Sequence, residues 1–201
     1  FRRVLFRSCV IALGFSIPIS TALDNVLLGL LLVCWLCSGL PLETAKNSFK
    51  NNYLRCVSLL VVLLLLGTAW SVAAWRDAFS VWGKYADLIA IPIIATVLRD
   101  VAAREHAMLA FAAAIALTVV LSWALWLRVL PAWPIFVWDG ASPSVFKYKA
   151  THNILVAFGA YLFAWLAFSS QDACWRRVWI LLALLAAANV LFLVDGATGY
   201  L

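Results

Sequence analysis

The stretch CVIALGFSIPISTALDNVLLGLLLVCWLCS, residues 9–38, decides the fold. A helix crossing a bilayer needs roughly 20 mostly apolar residues, so this stretch is too long for one straight crossing and short for two. Pro18 interrupts it, and Asp24-Asn25 sit near its middle. Basic residues concentrate on the cytoplasmic side of a membrane protein, which makes the remaining loops arbiters. If the stretch is a hairpin of two short helices turning at Asp24-Asn25, ten of the 15 Lys and Arg residues fall on one side. These are Arg2, Arg3, Arg7, Lys46, Lys50, Arg55, Arg99, Arg104, Arg176 and Arg177. The other side holds Arg76, Lys84, Arg128, Lys147 and Lys149. Reading the stretch as a single helix moves the first three arginines across and leaves seven against eight. The hairpin reading therefore predicts a cytoplasmic N-terminus.

Composition sets the class in which this topology makes sense. The 201 residues are 66% hydrophobic and 12% charged, with a mean hydropathy of +1.02. A soluble domain is about 45–50% apolar and about 25% charged, so there is too little charge to cover a water-facing surface. A soluble enzyme is excluded, and so is disorder, which needs few apolar residues. The expected fold is all-α, a polytopic transmembrane helical bundle in one domain. Its seven segments are placed at about 9–23, 25–39, 57–74, 85–98, 107–127, 153–169 and 178–195. Trp70, Trp75, Trp123 and Trp126 lie at segment ends on the side opposite the N-terminus, where an amphipathic indole is most stable. The chain opens on Phe1 and stops after an apolar run, which reads as the N-terminal fragment of a longer protein.

Most basic residues fall where orientation explains them, so the net charge of +6 calls for no nucleic acid. Five cysteines give no disulfide framework, and Cys34 and Cys37 lie in an apolar run where a zinc ion would need charged thiolates in hydrocarbon. No nucleotide-binding, hydrolase or metalloprotease motif is present, and two histidines cannot build a histidine metal cluster. Neither a metal nor a cofactor is expected.

Three polar places on the outer side remain unexplained by orientation. In the first, residues 75–87, Arg76 and Lys84 are basic where basic residues are disfavoured. They read either as a local ion pair with a snorkelling lysine or as a grip on a lipid phosphate. In the second, the long loop 128–150 gathers Lys147, Lys149 and His152 at the mouth of a segment. An extended approach would set Lys147 and Lys149 on one face, suited to an anion such as a pyrophosphate. His152 is a weak candidate for a general base beside its plainer reading as a hydrogen-bonded structural residue. In the third, Asp195-Gly196-Ala197-Thr198-Gly199 interrupts an apolar helix. It is either a glycine-capped helix end or an acid lining a wet cavity.

Taken in order, Phe15-Ser16-Ile17-Pro18-Ile19-Ser20, Gly67-Thr68-Ala69-Trp70-Ser71, Trp82-Gly83-Lys84-Tyr85, Ile91-Pro92, Phe146-Lys147, Thr151-His152-Asn153 and Gly196-Ala197-Thr198-Gly199-Tyr200-Leu201 resemble the O-antigen ligase and polymerase superfamily. The motifs are short and span most of the chain. The resemblance implies a GT-C-like glycosyltransferase of the bacterial inner membrane, active on the periplasmic face. Such an enzyme moves a glycan from undecaprenyl pyrophosphate to a lipid A-core acceptor, or to another chain in a polymerase, without nucleotide sugar or metal. It further implies that Lys84 and Tyr85 match the family's Lys-Tyr position and Lys147 the basic residue of its Phe-Lys motif. Arg76, Lys149 and Thr198 join them as expected contacts to the lipid-linked pyrophosphate, while the general-base histidine is expected beyond residue 201. Where the family commonly has Arg-Thr-Gly, this chain has Ala197-Thr198-Gly199, one guanidinium fewer. A secondary transporter or flippase component, using the same polar residues as a pathway, is the competing expectation from another class.

Overall fold

The computed structural model describes residues 2–37, 51–70, 77, 85, 87–131 and 142–194. Among them the regular structure is helical: α1 (Arg2–Ser16), α2 (Thr21–Cys37), α3 (Asn52–Ala69), α4 (Asp87–Val97), α5 (Val101–Trp126), α6 (Lys149–Ser169) and α7 (Ala173–Ala188), the last continued by a π-helical turn, Asn189–Leu193. Four of these are long and apolar enough to cross a membrane: α3, α5, α6 and the continuous Ala173–Leu193. α1, α2 and α4 are shorter, at 15, 17 and 11 residues. Among the described residues the fold is thus that of a helical membrane protein, with four clear spans where seven segments were expected.

The hairpin of α1 and α2 forms, but it turns six residues before the expected place. Ser16 O accepts both Ile19 N–H (2.8 Å) and Ser20 N–H (2.9 Å), closing a reversal over residues 17–20. Pro18, inside it, has no N–H to continue a helix. Ser20 Oγ then accepts Leu23 N–H at 3.3 Å, covering a free donor at the start of α2. Asp24, expected at the turn, lies instead in the first turn of α2. An acid is favoured there by the positive end of the helix dipole, whereas Pro18 supplies the stronger local constraint.

Two compact units make up the chain. The first comprises residues 1–13 and 25–106. Its core holds Phe6, Cys9, Val10 and Leu13 of α1, Leu31 of α2, Leu54 of α3, and Ile93 and Val97 of α4. Asn51 caps α3, its side chain accepting Tyr53 N–H at 3.0 Å, so this helix begins earlier than the apolar run at 57 suggests. Asp100 caps α5 in the same way, accepting Ala102 N–H at 3.1 Å, and it also pairs with Arg7. Along α3, Leu59, Val62, Leu63 and Leu66 are half or more exposed. Such a stripe is stable against lipid tails and not against water.

The second unit comprises residues 14–24 and 107–201. Its core is a dry seam of Ala112, Ile115 and Val119 from α5, Val156, Leu162 and Phe163 from α6, and Ala186 and Val190 beyond. Trp123 Nε1 donates to Leu185 O at 3.1 Å, a side-chain bond of α5 to a carbonyl of α7. Phe163 stacks on Trp179 with ring centroids 5.9 Å apart.

Small residues set the spacing of these helices. A Cβ on Gly159 would lie 2.4 Å from Ile115 Cγ2, and one on Gly14 would lie 2.7 Å from Ala107 O. Ile115 is β-branched and stiff at χ1, so it cannot swing clear. Gly159→Ala is expected to lower the unfolding temperature of the detergent-solubilised protein. Overpacking costs about 1–3 kcal/mol, more than the roughly 0.5–1 kcal/mol by which alanine favours a helix. Adding Ile115→Ala should recover the loss, and an unchanged unfolding temperature for Gly159→Ala alone would refute the close approach.

Candidate functional site

Polar side chains are expensive inside an apolar helical unit and therefore informative. In the second unit they gather around residues 142–153, where the chain enters α6. Phe146 has a left-handed φ of 63°, and Lys147 N–H donates to Val145 O at 2.7 Å. This i to i+2 reversal is a γ-turn of the rare, strained hand. Strain of this kind costs on the order of 1–3 kcal/mol and persists where the surroundings over-determine it. It also replaces the extended approach expected for Lys147 and Lys149. Lys147 lies in the turn, and Lys149 is already the first residue of α6.

Lys147 is 7% exposed. Its Nζ lies 3.4 Å from Asp24 Oδ2, a partner 123 residues away in sequence. The other carboxylate oxygen, Asp24 Oδ1, accepts a hydrogen bond from Ser16 Oγ. Ser16 and Asp24 flank the reversal at 17–20, so the displaced hairpin turn is what delivers a carboxylate to Lys147. Tyr148, at the N-cap of α6, makes no side-chain capping bond. A helix start carries free N–H donors and about half a positive charge, conditions that favour an acid. Here the sequence supplies a half-buried Lys149 in the first turn and a buried Lys147 two residues before it.

A hydrogen-bond chain locks the same segment in place. His152 Nδ1 lies 3.3 Å from Val145 N and 3.4 Å from Val145 O; because Asn189 Oδ1 beside Nε2 can only accept, the proton of the neutral ring is assigned to Nε2 and Nδ1 accepts Val145 N–H. Nε2 donates to Asn189 Oδ1 (3.1 Å), Asn189 Nδ2 donates to Ser122 Oγ (2.7 Å), and Ser122 Oγ donates to Pro143 O (2.7 Å). The chain starts at Val145 and returns to Pro143, passing through α6, the π-turn and α5. His152, Asn189 and Ser122 are all 1% exposed or less. In this arrangement neither ring nitrogen of His152 offers a lone pair to a substrate, and the residue acts as a clamp.

The π-turn has a visible cause in this network. Val194 N–H donates to Asn189 O at 3.2 Å, a five-residue spacing, while Val194 O accepts Asn153 Nδ2 at 3.3 Å. Single π-turns inside helices often mark functional sites. Ser144 Oγ and Asn153 Oδ1 are buried atoms with no hydrogen-bond partner among the described residues. Ser144 precedes Val145 and Asn153 follows His152, so both neighbour the bonded Val145–His152 pair.

Of the expected site residues, then, Lys147, Lys149 and His152 come together at the entry to α6. Tyr85 is exposed and belongs to the first unit. Arg76, Lys84, Thr198 and Asp195 lie outside the described residues. The sequence places Ser16 and Asn153 only within motifs, gives Ser122 and Asn189 no role, and offers Asp24 only as a turn residue. Ser122 and Asn189 carried a usable signal, since each is a polar residue inside an otherwise apolar helical stretch. The class defined by fold and site is a helical membrane protein with a basic, buried polar cluster at one helix entry. No family model, curated protein or solved structure matches the chain.

Proposed function

We propose that this protein transfers a polysaccharide from undecaprenyl pyrophosphate to a lipid A-core acceptor at the periplasmic face of the bacterial inner membrane, as an O-antigen ligase. The observation that carries this reading is the placement of two lysines at the start of α6, one of them buried against Asp24. An uncapped helix N-terminus, the first-turn Lys149 and the buried Lys147 occupy one short segment. A pyrophosphate leaving group gathers charge as its bond to the anomeric carbon breaks. Fixed cations in a water-poor site stabilise that charge more than water would. Lys147 and Lys149 then serve as donor contacts, with Arg76, Lys84, Tyr85 and Thr198 assigned alongside them by the resemblance of their motifs. The reaction is an inverting attack of an acceptor hydroxyl on the anomeric carbon, with undecaprenyl pyrophosphate departing. A polymerase of the same superfamily differs only in its acceptor.

The test is complementation of a Gram-negative strain that lacks its own O-antigen ligase, using the full-length protein, with lipopolysaccharide separated on a gel. The parent should restore the long-chain ladder. Lys84→Ala and the double variant Lys147→Ala/Asp24→Ala, at equal abundance, should not. The double variant is used because it strands no charge. No ladder from a well-expressed parent would refute the ligase reading and leave the polymerase or the transporter.

One observation favours the transporter as a second reading. Ion pairs within a membrane helical unit commonly line ion or substrate pathways, and Lys147–Asp24 is such a pair. Uptake or flipping by liposomes containing the parent, abolished by Asp24→Asn, would favour it over the ligase.

A further inference from the structure

We propose that Asp24 is the positioning residue for Lys147, and that its carboxylate occupies the donor's phosphate position until an undecaprenyl-linked pyrophosphate displaces it. This rests on reading Lys147 as a donor contact.

Three observations lead there. The first is the looseness of the pair. A charge-assisted N–H···O bond normally measures about 2.7–2.9 Å, yet Nζ of Lys147 and Oδ2 of Asp24 are 3.4 Å apart with both side chains largely buried. An ammonium has three donors, and this one contact engages one of them. The second is the presence of unpartnered buried polar atoms in the segment that carries Lys147, at Ser144 and Asn153. Ser144 Oγ and Asn153 Oδ1 are fully buried with no partner among the described residues, an arrangement that is costly for a polar atom. A hydroxyl can donate to a phosphate oxygen, and an amide oxygen can accept from a sugar hydroxyl. A pyrophosphate bearing a glycan offers both. The third is how Asp24 is held. Ser16 Oγ donates to it across the 17–20 reversal, so the carboxylate can leave Lys147 by a side-chain rotation while keeping a partner.

The electrostatics run in the same direction. A buried ammonium with no counter-ion is strongly disfavoured, so Lys147 needs an internal anion. A carboxylate carries one charge, whereas a pyrophosphate carries more and can engage the ammonium and the hydroxyl together. Asp24 therefore keeps Lys147 charged and correctly placed, and it also competes with the donor.

The experiment titrates undecaprenyl pyrophosphate into the full-length protein in detergent and follows binding through tryptophan fluorescence. Asp24→Asn keeps a hydrogen-bonding oxygen and removes the competing charge. It should bind roughly five- to tenfold tighter, the size of one partly screened charge interaction. In a ligation assay its KM for the lipid donor should fall, and kcat should fall as well because Lys147 is less well held. Asp24→Glu should return both values towards the parent, and Lys147→Ala/Asp24→Ala should bind at least tenfold more weakly. A purely structural pair would instead leave donor affinity unchanged in Asp24→Asn at equal folded fraction, and that result overturns the proposal. So does a parent that binds no undecaprenyl pyrophosphate. Tighter binding by Asp24→Asn supports it even where the complementation strain forms no ladder, because binding and ligation are read separately.

Discussion

Lys147→Ala is expected to destabilise the protein by about 3–5 kcal/mol, because removing one partner of a buried ion pair strands the other. Asp24 is 16% exposed on its side chain and, among the described residues, would keep Ser16 as its side-chain hydrogen-bond donor. Asp24→Ala should cost a comparable amount by stranding Lys147. The informative variant is the double one. Removing both charges eliminates the stranded ion in either background, so Lys147→Ala/Asp24→Ala should be more stable than either single variant. The two single losses together should exceed the double loss by at least about 1.5 kcal/mol, within the range seen for close charge pairs by double-mutant cycles. Reversible unfolding in mixed micelles, followed by far-UV circular dichroism, measures all four corners. Strict additivity would mean that the ammonium and carboxylate do not meet.

The second large effect is expected at Asn189. Its amide is the middle link of the chain from Val145 to Pro143, accepting from His152 and donating to Ser122 at full burial. Asn189→Leu nearly conserves volume but leaves His152 Nε2–H with no acceptor. The cost should be about 1–3 kcal/mol for the orphaned buried donor. Hydrogen bonds between membrane helices average nearer 0.6 kcal/mol, but that average includes bonds whose partners find replacements. Here the ring is enclosed on all sides. Adding His152→Phe removes the orphan and should recover part of the loss in the same unfolding measurement. Protease sensitivity of the 142–148 segment should rise in Asn189→Leu, since the chain ties that segment to α5 and the π-turn. A stable, protease-resistant Asn189→Leu would show that the chain contributes nothing to holding the segment.

Much of the helical layout was legible in the sequence because long apolar runs have few alternatives. The runs near 57, 107, 153 and 178 each became a helix, with starts moved by capping residues such as Asn51 and Asp172 that periodicity ignores. The hairpin was legible as a hairpin from the distribution of basic residues. Its turn falls at 17–20 and not at Asp24-Asn25, because the missing N–H of Pro18 constrains the backbone more than a polar side chain does. At the site, Lys147 and Lys149 stood out as cations on the side where orientation disfavours them. Their surroundings did not stand out. Asp24 meets Lys147 across 123 residues, and Asn189 meets Ser122 across 67. No local spacing encodes a pair of that separation, so composition can announce the polar residues without saying which of them will touch.

The 123-residue separation between Asp24 and Lys147 also has a consequence in time. A ribosome adds about 5–20 residues per second, so Asp24 is synthesised about 6–25 s before Lys147 exists. Until Lys147 is made the hairpin carries its carboxylate without that partner, and Ser16, synthesised before it, is a hydrogen-bond donor already in place. The serine that steadies the finished pair is therefore also the residue that makes the nascent hairpin tolerable to the bilayer. A defect from Ser16→Ala should accordingly appear during insertion, as chains degraded early, more than in the stability of molecules that have matured.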